Sequence, residues 1–291
     1  MRLFVNEALT EATTNALQNE GITLIDNLEE ATVAWVRLRD FIGPELMDRA
    51  PHLRFIVSAT TGLNHIDTET AKQRGIEVLS LRGEHEFLQS ITATAEHTIA
   101  LMLALLRRIP ESFDAVRRGS WERVIGRELA GKVCSIIGEG RVGTQVWHLM
   151  AAFHADLTGN PTQADIVSLH VNYTPENEKM CDEAFFASLK PGALFINTAR
   201  GELVDEEALL DALARGQLGG AALDVLADES RMKPQDVYNE RGGKWTGHGL
   251  RRYAAIKPDR LINTPHSGGA TVESMEKTEL FMVGKLMEAS K

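Results

Sequence analysis

The stretch VCSIIGEGRVGTQVWHLMAAF, residues 133–153, constrains the fold more than any other in this chain. Val133 to Ile137 form a short, mostly apolar run of the kind buried in a parallel sheet. Gly138, Gly140 and Gly143 follow at G-x-G-x-x-G spacing, and an amphipathic helical pattern starts at Arg141. Strand, glycine turn and helix in that order let backbone N–H groups at the helix start approach a pyrophosphate. Such a turn belongs at the carboxyl end of a parallel strand, so the chain is expected to be α/β.

The rest of the sequence keeps this rhythm. RLFVN, ATVAWVRL, LRFIVSAT and IEVLSL read as strands of a first unit. EATTNALQNEG reads as a helix stopped by Gly21, and DTETAKQRG as one capped by Asp67 with Gly75 past its end. A long helix from Ala93 to about Arg107, with Thr92 or Thr94 as cap, leads into a second unit. There KVCSIIG, ADIVSLHV, ALFINTA, GAALDVL and RLINTPH read as strands, and RVGTQVWHLMAAF, ENEKMCDEAFFASLK and DEEALLDALARG as helices. A last amphipathic helix follows HSGGAT. Polar residues gather at strand ends: Ser58 and Thr60, His170, Asn197 with Arg200, Asp224, and His266. Ligands of open parallel sheets bind at those ends.

At 291 residues, with 43% hydrophobic and 25% charged residues, the chain has the composition of a globular protein and length for two domains. A net charge of −10 argues against nucleic acid as a partner. The longest apolar run, Ile99 to Leu106, is too short to span a bilayer, and MRLFVNEALTEATT has no secretory apolar segment. A cytoplasmic location, away from membranes, is therefore expected. Cys134 and Cys181 have neither metal-ligand spacing nor partners for a disulfide scaffold, so reduced thiols and no metal are expected.

Several motifs stand in a fixed order: TGLNHIDTETAKQRGIEV, TAEHTIALMLALLRRIP, GEGRVG, ADIVSLH, LKPGALFINTARGELVDEEAL, GAALDV and TPHSGGAT. In that order the chain resembles the D-isomer-specific 2-hydroxyacid dehydrogenases along nearly its whole length. The glycine turn alone is weak, but NTARGELVDEEAL followed by an aspartate 24 residues after its arginine, then a glutamate and TPH, is specific.

The resemblance implies two Rossmann-like parallel-sheet domains with the active site in the cleft between them. Residues 1–91 plus 270–291 would form a flavodoxin-like substrate-binding domain, and residues 92–269 the dinucleotide-binding Rossmann domain. It implies NAD as cofactor, with NADP not excluded, a small 2-hydroxy or 2-keto acid as substrate, and a homodimer. By the same resemblance Arg200 grips the substrate carboxylate and carbonyl with a two-pronged guanidinium. His266 is the general acid/base at the C2 oxygen, and Glu229 pairs with it and favours the imidazolium. Asp224 binds the nicotinamide carboxamide. Gly138, Gly140, Arg141, Val142 and Gly143 face the pyrophosphate, and His170, Thr198, Ala199 and Gly268 complete the cofactor site. Thr61, Gly62 and Leu63 offer backbone N–H groups to the substrate carboxylate. His97, inside TAEHT, either lines the site or is structural.

Three departures stand out. SLRGEHEFLQSIT is long and charged for the position it holds, and a solvated loop is the expected form. The 36 residues between Glu229 and His266 include a segment, Ser230 to Arg260, with eight basic and three acidic residues. It either roofs the cleft, turning some of Arg231, Lys233, Arg241, Lys244, Arg251 and Arg252 toward Arg200, or forms a solvated loop, which is favoured.

The third departure follows the glycine turn. The fingerprint continues to a second strand ending in an acid that holds the ribose, but here Asn160-Pro161 occupy that place. Only ten residues, Asp156 to Asp165, are left for a strand, a helix and two turns. Losing an inner strand would strand unpaired backbone groups. Roughly twenty residues with the ribose acid are therefore expected to be missing between Ala155 and Asp165, seen as a break in the trace. An unbroken trace would mean a truncated cofactor domain. Beside the hydride-transferring oxidoreductase, two readings stay open: a catalytically idle nucleotide-binding relative acting as sensor or corepressor, and a hydrolase on the same sheet. The second lacks any G-x-S-x-G or H-E-x-x-H motif.

Overall fold

The apolar runs become two separate parallel sheets. In a computed structural model of the chain, residues 1–38, 40–227, 229, 249–250, 253, 257 and 259–291 are described. They divide into two units, Met1–Ile91 with Ala270–Lys291, and Thr92–Gly269.

In the first unit, β1 (Arg2–Val5), β2 (Thr23–Ile25), β3 (Val33–Trp35), β4 (Phe55–Ser58) and β5 (Glu77–Ser80) pair in the order β2-β1-β3-β4-β5, all parallel. β3 and β4 are buried along their length, as inner parallel strands covered on both faces must be. Trp35, Val57 and Leu79 pack with Met282 and Leu286 of the C-terminal helix Val272–Ala289. The helix Glu11–Asn19 is capped by Thr10, and Gly21, at φ 71°, ends its last turn. The charged stretch after β5 is not the solvated loop expected of it. It contains a helix, His85–Leu88, with Leu88 buried, and Glu84 pairs with Lys285, whose Nζ also donates to the Ser80 carbonyl at 2.8 Å.

In the second unit, β6 (Val133–Ile137), β7 (Asp156–Thr158), β8 (Ile166–Leu169), β9 (Ala193–Asn197), β10 (Leu218–Leu223) and β11 (Leu261–Asn263) pair in parallel, in the order β11-β10-β9-β8-β6-β7. One face is filled by Phe186, Phe195 and Leu209, the two phenyl rings meeting edge to face at 5.2 Å. The other packs Met102, Val146 and Met150 against Ile166 and Ile196. ENEKMCDEAFFASLK is not one helix: its start lies in a 3-10 turn, Pro175–Asn177, and only Glu183–Ser188 is α-helical, behind an Asp182 cap. Cys181 instead bridges to Val204, its N–H donating to the Leu203 carbonyl at 3.0 Å, and this ladder contact pulls the chain out of helix.

The segment after the glycine turn corrects the expected break. Asp156–Thr158 pairs with β6 as the second strand, and a single 3-10 turn, Pro161–Gln163, carries the chain to β8. What is absent among the described residues is the strand beyond β7, the outermost of the 3-2-1-4-5-6 order, with its helix. The case for missing residues assumed loss of an inner strand. Loss at the edge leaves β6 paired on both sides, and the new edge is short and followed by a proline, as natural sheet edges are. Seven residues, 159–165, reach about 23 Å, against roughly 14 Å needed to return along three residues and cross one strand. The basic side chains named above for residues 231–252 lie outside the described residues.

Candidate active site

All the predicted residues of the second unit lie just past the carboxyl ends of its parallel strands. Gly138 sits at φ 113°, and a Cβ there would come within 2.6 Å of the His170 carbonyl. A Cβ on Gly143 would overlap the Gly138 carbonyl oxygen. Both glycines are thus fixed by close backbone approach, while Gly140, which caps the helix Arg141–Ala152, is uncrowded and offers no side-chain cap. The first intrahelical bond in this turn runs from Thr144 N–H to the Gly140 carbonyl at 2.9 Å. The N–H groups of Arg141, Val142 and Gly143 precede it and have no helical acceptor. This cradle fits a pyrophosphate.

His170 follows β8 with Nε2 at 2.8 Å from Ser168 Oγ, and its buried Nδ1 has no partner among the described residues. Burial pushes its pKa down to about 4, so the ring is neutral near pH 7.

After β9, Asn197 organises the turn. Its buried side chain accepts from Ala199 N–H at 2.9 Å and donates to the Arg200 carbonyl at 2.8 Å. Thr198 is tied to Thr98 through their hydroxyls at 2.8 Å. A Cβ on Gly201 would overlap the backbone of Leu226 and Ala227, so the turns after β9 and β10 are pressed together. Arg200 is left with one hydrogen bond, Nη1 to the Ala199 carbonyl at 2.6 Å, and no ion pair among the described residues. Burial lowers its pKa, opposed by Glu229 and Glu202, and a guanidinium stays charged through such a shift.

Asp224, after β10, is buried and accepts from Ser267 N–H at 2.8 Å, Gly268 N–H at 2.7 Å and Thr264 Oγ1 at 2.5 Å. Burial opposes its ionisation, but these bonds and His97 together hold its carboxyl below the usual range. The Gly268 amide is therefore spent on Asp224. His97 Nε2 lies 3.3 Å from Asp224 Oδ1 and 3.0 Å from Thr264 Oγ1, so it belongs to this network. His266 follows in a left-handed conformation, φ 50°, its N–H donating to the Asp224 carbonyl at 2.7 Å. Nδ1 pairs with Glu229 Oε1, and Glu229 Oε2 accepts from Leu226 N–H at 3.3 Å. A carboxylate at Nδ1 fixes the proton there and leaves Nε2 as the atom able to exchange one.

Reading the sequence alone under-rated Asn197 and His97, and passed over Thr98 and Thr264. Asn197 had a visible signal, a polar residue closing an apolar strand. His97 is 127 positions from its partner Asp224, a distance no local pattern bridges.

In the first unit, Thr61, Gly62 and Leu63 follow β4 in a turn held by Thr60, whose Oγ1 donates to the Gly62 carbonyl at 2.8 Å. Ser58 Oγ links Thr60 Oγ1 at 2.9 Å and His65 Nε2 at 3.0 Å. The N–H groups of Thr61, Gly62 and Leu63 donate to no acceptor among the described residues. Both cysteines are buried, which pushes each thiol up to about 12 and makes it unreactive. No helix among the described residues is long and apolar enough to cross a membrane.

A glycine cradle, a half-buried arginine without an ion pair among the described residues, and a His–Glu pair at one end of a parallel sheet are the features of a dinucleotide-dependent α/β enzyme. The NAD-binding domain model of the D-isomer specific 2-hydroxyacid dehydrogenases matches residues 99–163 and 160–268, the two stretches meeting at the shortened crossover. A glyoxylate reductase of Thermofilum pendens is 31% identical over 87% of this chain and 77% of its own. A hydroxypyruvate reductase of Thermotoga maritima is 28% identical over 99% and 93%. The structure of a D-lactate dehydrogenase from Aquifex aeolicus, complexed with NAD and lactic acid, superposes with a TM-score of 0.79 at 27% identity, covering 99% of this chain and 94% of that one. The chain belongs to the D-isomer-specific 2-hydroxyacid dehydrogenase family, oxidoreductases that pass a hydride between a nicotinamide cofactor and a 2-hydroxy acid.

Proposed function

We propose that this chain is a working dehydrogenase for a small 2-hydroxy or 2-keto acid, using NAD, with NADP able to serve the same chemistry. The observation that carries this is the half-buried Arg200, without an ion pair among the described residues, in electrostatic reach of a Glu229 already paired with His266. A half-buried guanidinium whose fork meets no carboxylate directly is open to an anion, and a 2-keto acid brings one. Arg200 holds that carboxylate with two parallel bonds and draws electron density from the adjacent carbonyl. His266 delivers or removes the proton at the C2 oxygen through Nε2, with Glu229 fixing the ring. When bound, the nicotinamide supplies or accepts the hydride. Asp224, held by Thr264, Ser267 and Gly268, presents an ionised acceptor suited to a carboxamide N–H. In the first unit the free amides of Thr61, Gly62 and Leu63 are suited to a carboxylate.

The same reading places the enzyme in the cytoplasm as a homodimer. Phe113, Val116, Trp121 and Ile125 are all more than half exposed, an apolar run that a partner copy would cover. The idle-relative reading loses because it gives Arg200, Glu229 and His266 no reason to be assembled.

Oxidation of NADH against a panel of 2-keto acids tests the proposal. Turnover is expected with at least one, and Arg200→Lys is expected to lose most of it through both kcat and KM, since lysine keeps the charge without the fork. No turnover with any acid, or a near-native Arg200→Lys enzyme, sinks the assignment.

A further inference from the structure

The carboxyl end of β7 is where a dinucleotide site ordinarily reads the adenosine ribose: a carboxylate for a 2′-hydroxyl, a basic group for a 2′-phosphate. This chain has neither. After Thr158 come Gly159, Asn160, Pro161, Thr162 and Gln163. Asp156 stands at the opposite end of β7, and Asp165 is committed to Val133 N–H at 3.0 Å and Lys190 Nζ at 2.5 Å. No lysine or arginine occurs between Arg141 and Lys179. Asn160, the first polar side chain after β7, has its Oδ1 taken by Thr162 N–H at 3.0 Å and Thr162 Oγ1 at 2.8 Å, and Thr162 and Gln163 carry no charge. β7 is also the edge of the sheet, so among the described residues no neighbouring strand or its following loop supplies a substitute. The pyrophosphate cradle at Gly138–Gly143 and the Asp224 network are complete by contrast. The residues present fit the nicotinamide and pyrophosphate and do not fit the adenosine ribose.

We propose that this enzyme holds its cofactor through the pyrophosphate and nicotinamide alone and does not discriminate NADH from NADPH. The proposal rests on the dehydrogenase reading above and adds the loss of 2′ selectivity to it.

Direct titration of the purified protein with NADH and with NADPH, by calorimetry or quenching of tryptophan fluorescence, provides the test. The two Kd values are expected within about fivefold, because one charged hydrogen bond to either 2′ group would separate them by more than about tenfold. A preference beyond about twentyfold in either direction overturns the proposal and leaves the dehydrogenase standing. Binding of neither at millimolar concentration overturns both. A second arm places a carboxylate at the end of β7 with Asn160→Asp and, separately, Pro161→Asp. At least one is expected to weaken NADPH by about tenfold relative to NADH, through repulsion of the 2′-phosphate. An unchanged ratio in both folded variants would mean that the ribose lies elsewhere, and the proposal falls.

Discussion

The crossover from β2 to β3 in one unit and that from β7 to β8 in the other are built alike. Each leaves a three-residue strand, passes an asparagine that caps a single 3-10 turn, and enters the next strand through an alanine and one polar residue. Asn27 accepts from Glu29 N–H and Asn160 from Thr162 N–H, both at 3.0 Å. The polar residue then ties back to the first strand: Thr32 accepts from Arg2 N–H and Asp165 from Val133 N–H, again both at 3.0 Å. The shortened connection in the cofactor-binding unit is therefore a sound way of joining parallel strands.

What differs is the helix that precedes it. In the first unit, the N-terminus of Glu11–Asn19 is closed from within: Glu279 Oε2 accepts from Thr10 N–H at 2.9 Å and from its hydroxyl at 2.8 Å. Arg37 balances that carboxylate. In the second, Gly140 caps Arg141–Ala152 with no side-chain cap hydrogen bond. One frame satisfies its helix start with its own anion, while the other starts on a glycine, the arrangement that suits a bound phosphate.

That contrast can be broken at either side. The largest effect is expected from His266→Gln, which should cut turnover by about 10²–10⁴ while leaving NADH affinity unchanged, because the ring acts on the proton and not on cofactor binding. Steady-state kinetics beside a binding titration decide it, and a loss of affinity equal to the loss of rate would make His266 a binding residue. Next comes Glu279→Gln, which leaves Arg37 and the Thr10 helix start without their charge. A loss of about 3–5 kcal/mol in denaturant unfolding is expected, with NADH still bound by the second unit. Stability within about 1 kcal/mol of the parent would show that the internal anion is dispensable.

A smaller effect is expected from pH. His170 has its pKa lowered from 6.5 to about 4 by burial, so the unfolded chain binds the extra proton first. Its contribution is complete above about pH 6.5 and is lost as pH falls toward 4, on the order of 3 kcal/mol in all. His170→Gln should flatten that limb between pH 7 and 4.5, and an unaltered profile would place the acid sensitivity elsewhere. The smallest pair, Asn27→Ala and Asn160→Ala, should each cost about 1 kcal/mol of stability. A much larger cofactor effect at Asn160 than a lost cap explains would mean that its side chain also meets the adenosine.

Much of this was legible in the sequence, and for physical reasons. The inner strands β4, β6 and β8 are apolar runs because both faces are covered, and the glycines at 138 and 143 are unavoidable where backbones touch. β7 was illegible because Asp-Leu-Thr has no apolar period of its own. It is a strand only because β6 offers the ladder. The helix over Glu183–Ser188 was over-extended because nothing local announces that Cys181 pairs with Val204. Arg200, Glu229 and His266 were singled out through their order along the chain. The bonds that seat it, from Asn197, His97 and Thr264, join distant segments and emerged only in three dimensions.

The left-handed backbone at His266 places a bulky side chain in a conformation that glycine would occupy freely, at a cost on the order of 1–3 kcal/mol. Selection for thermal endurance alone would tend to replace this histidine, and selection for turnover would keep it. If the imidazole carries the proton as proposed, this is a position where robustness is exchanged for the aim of a side chain.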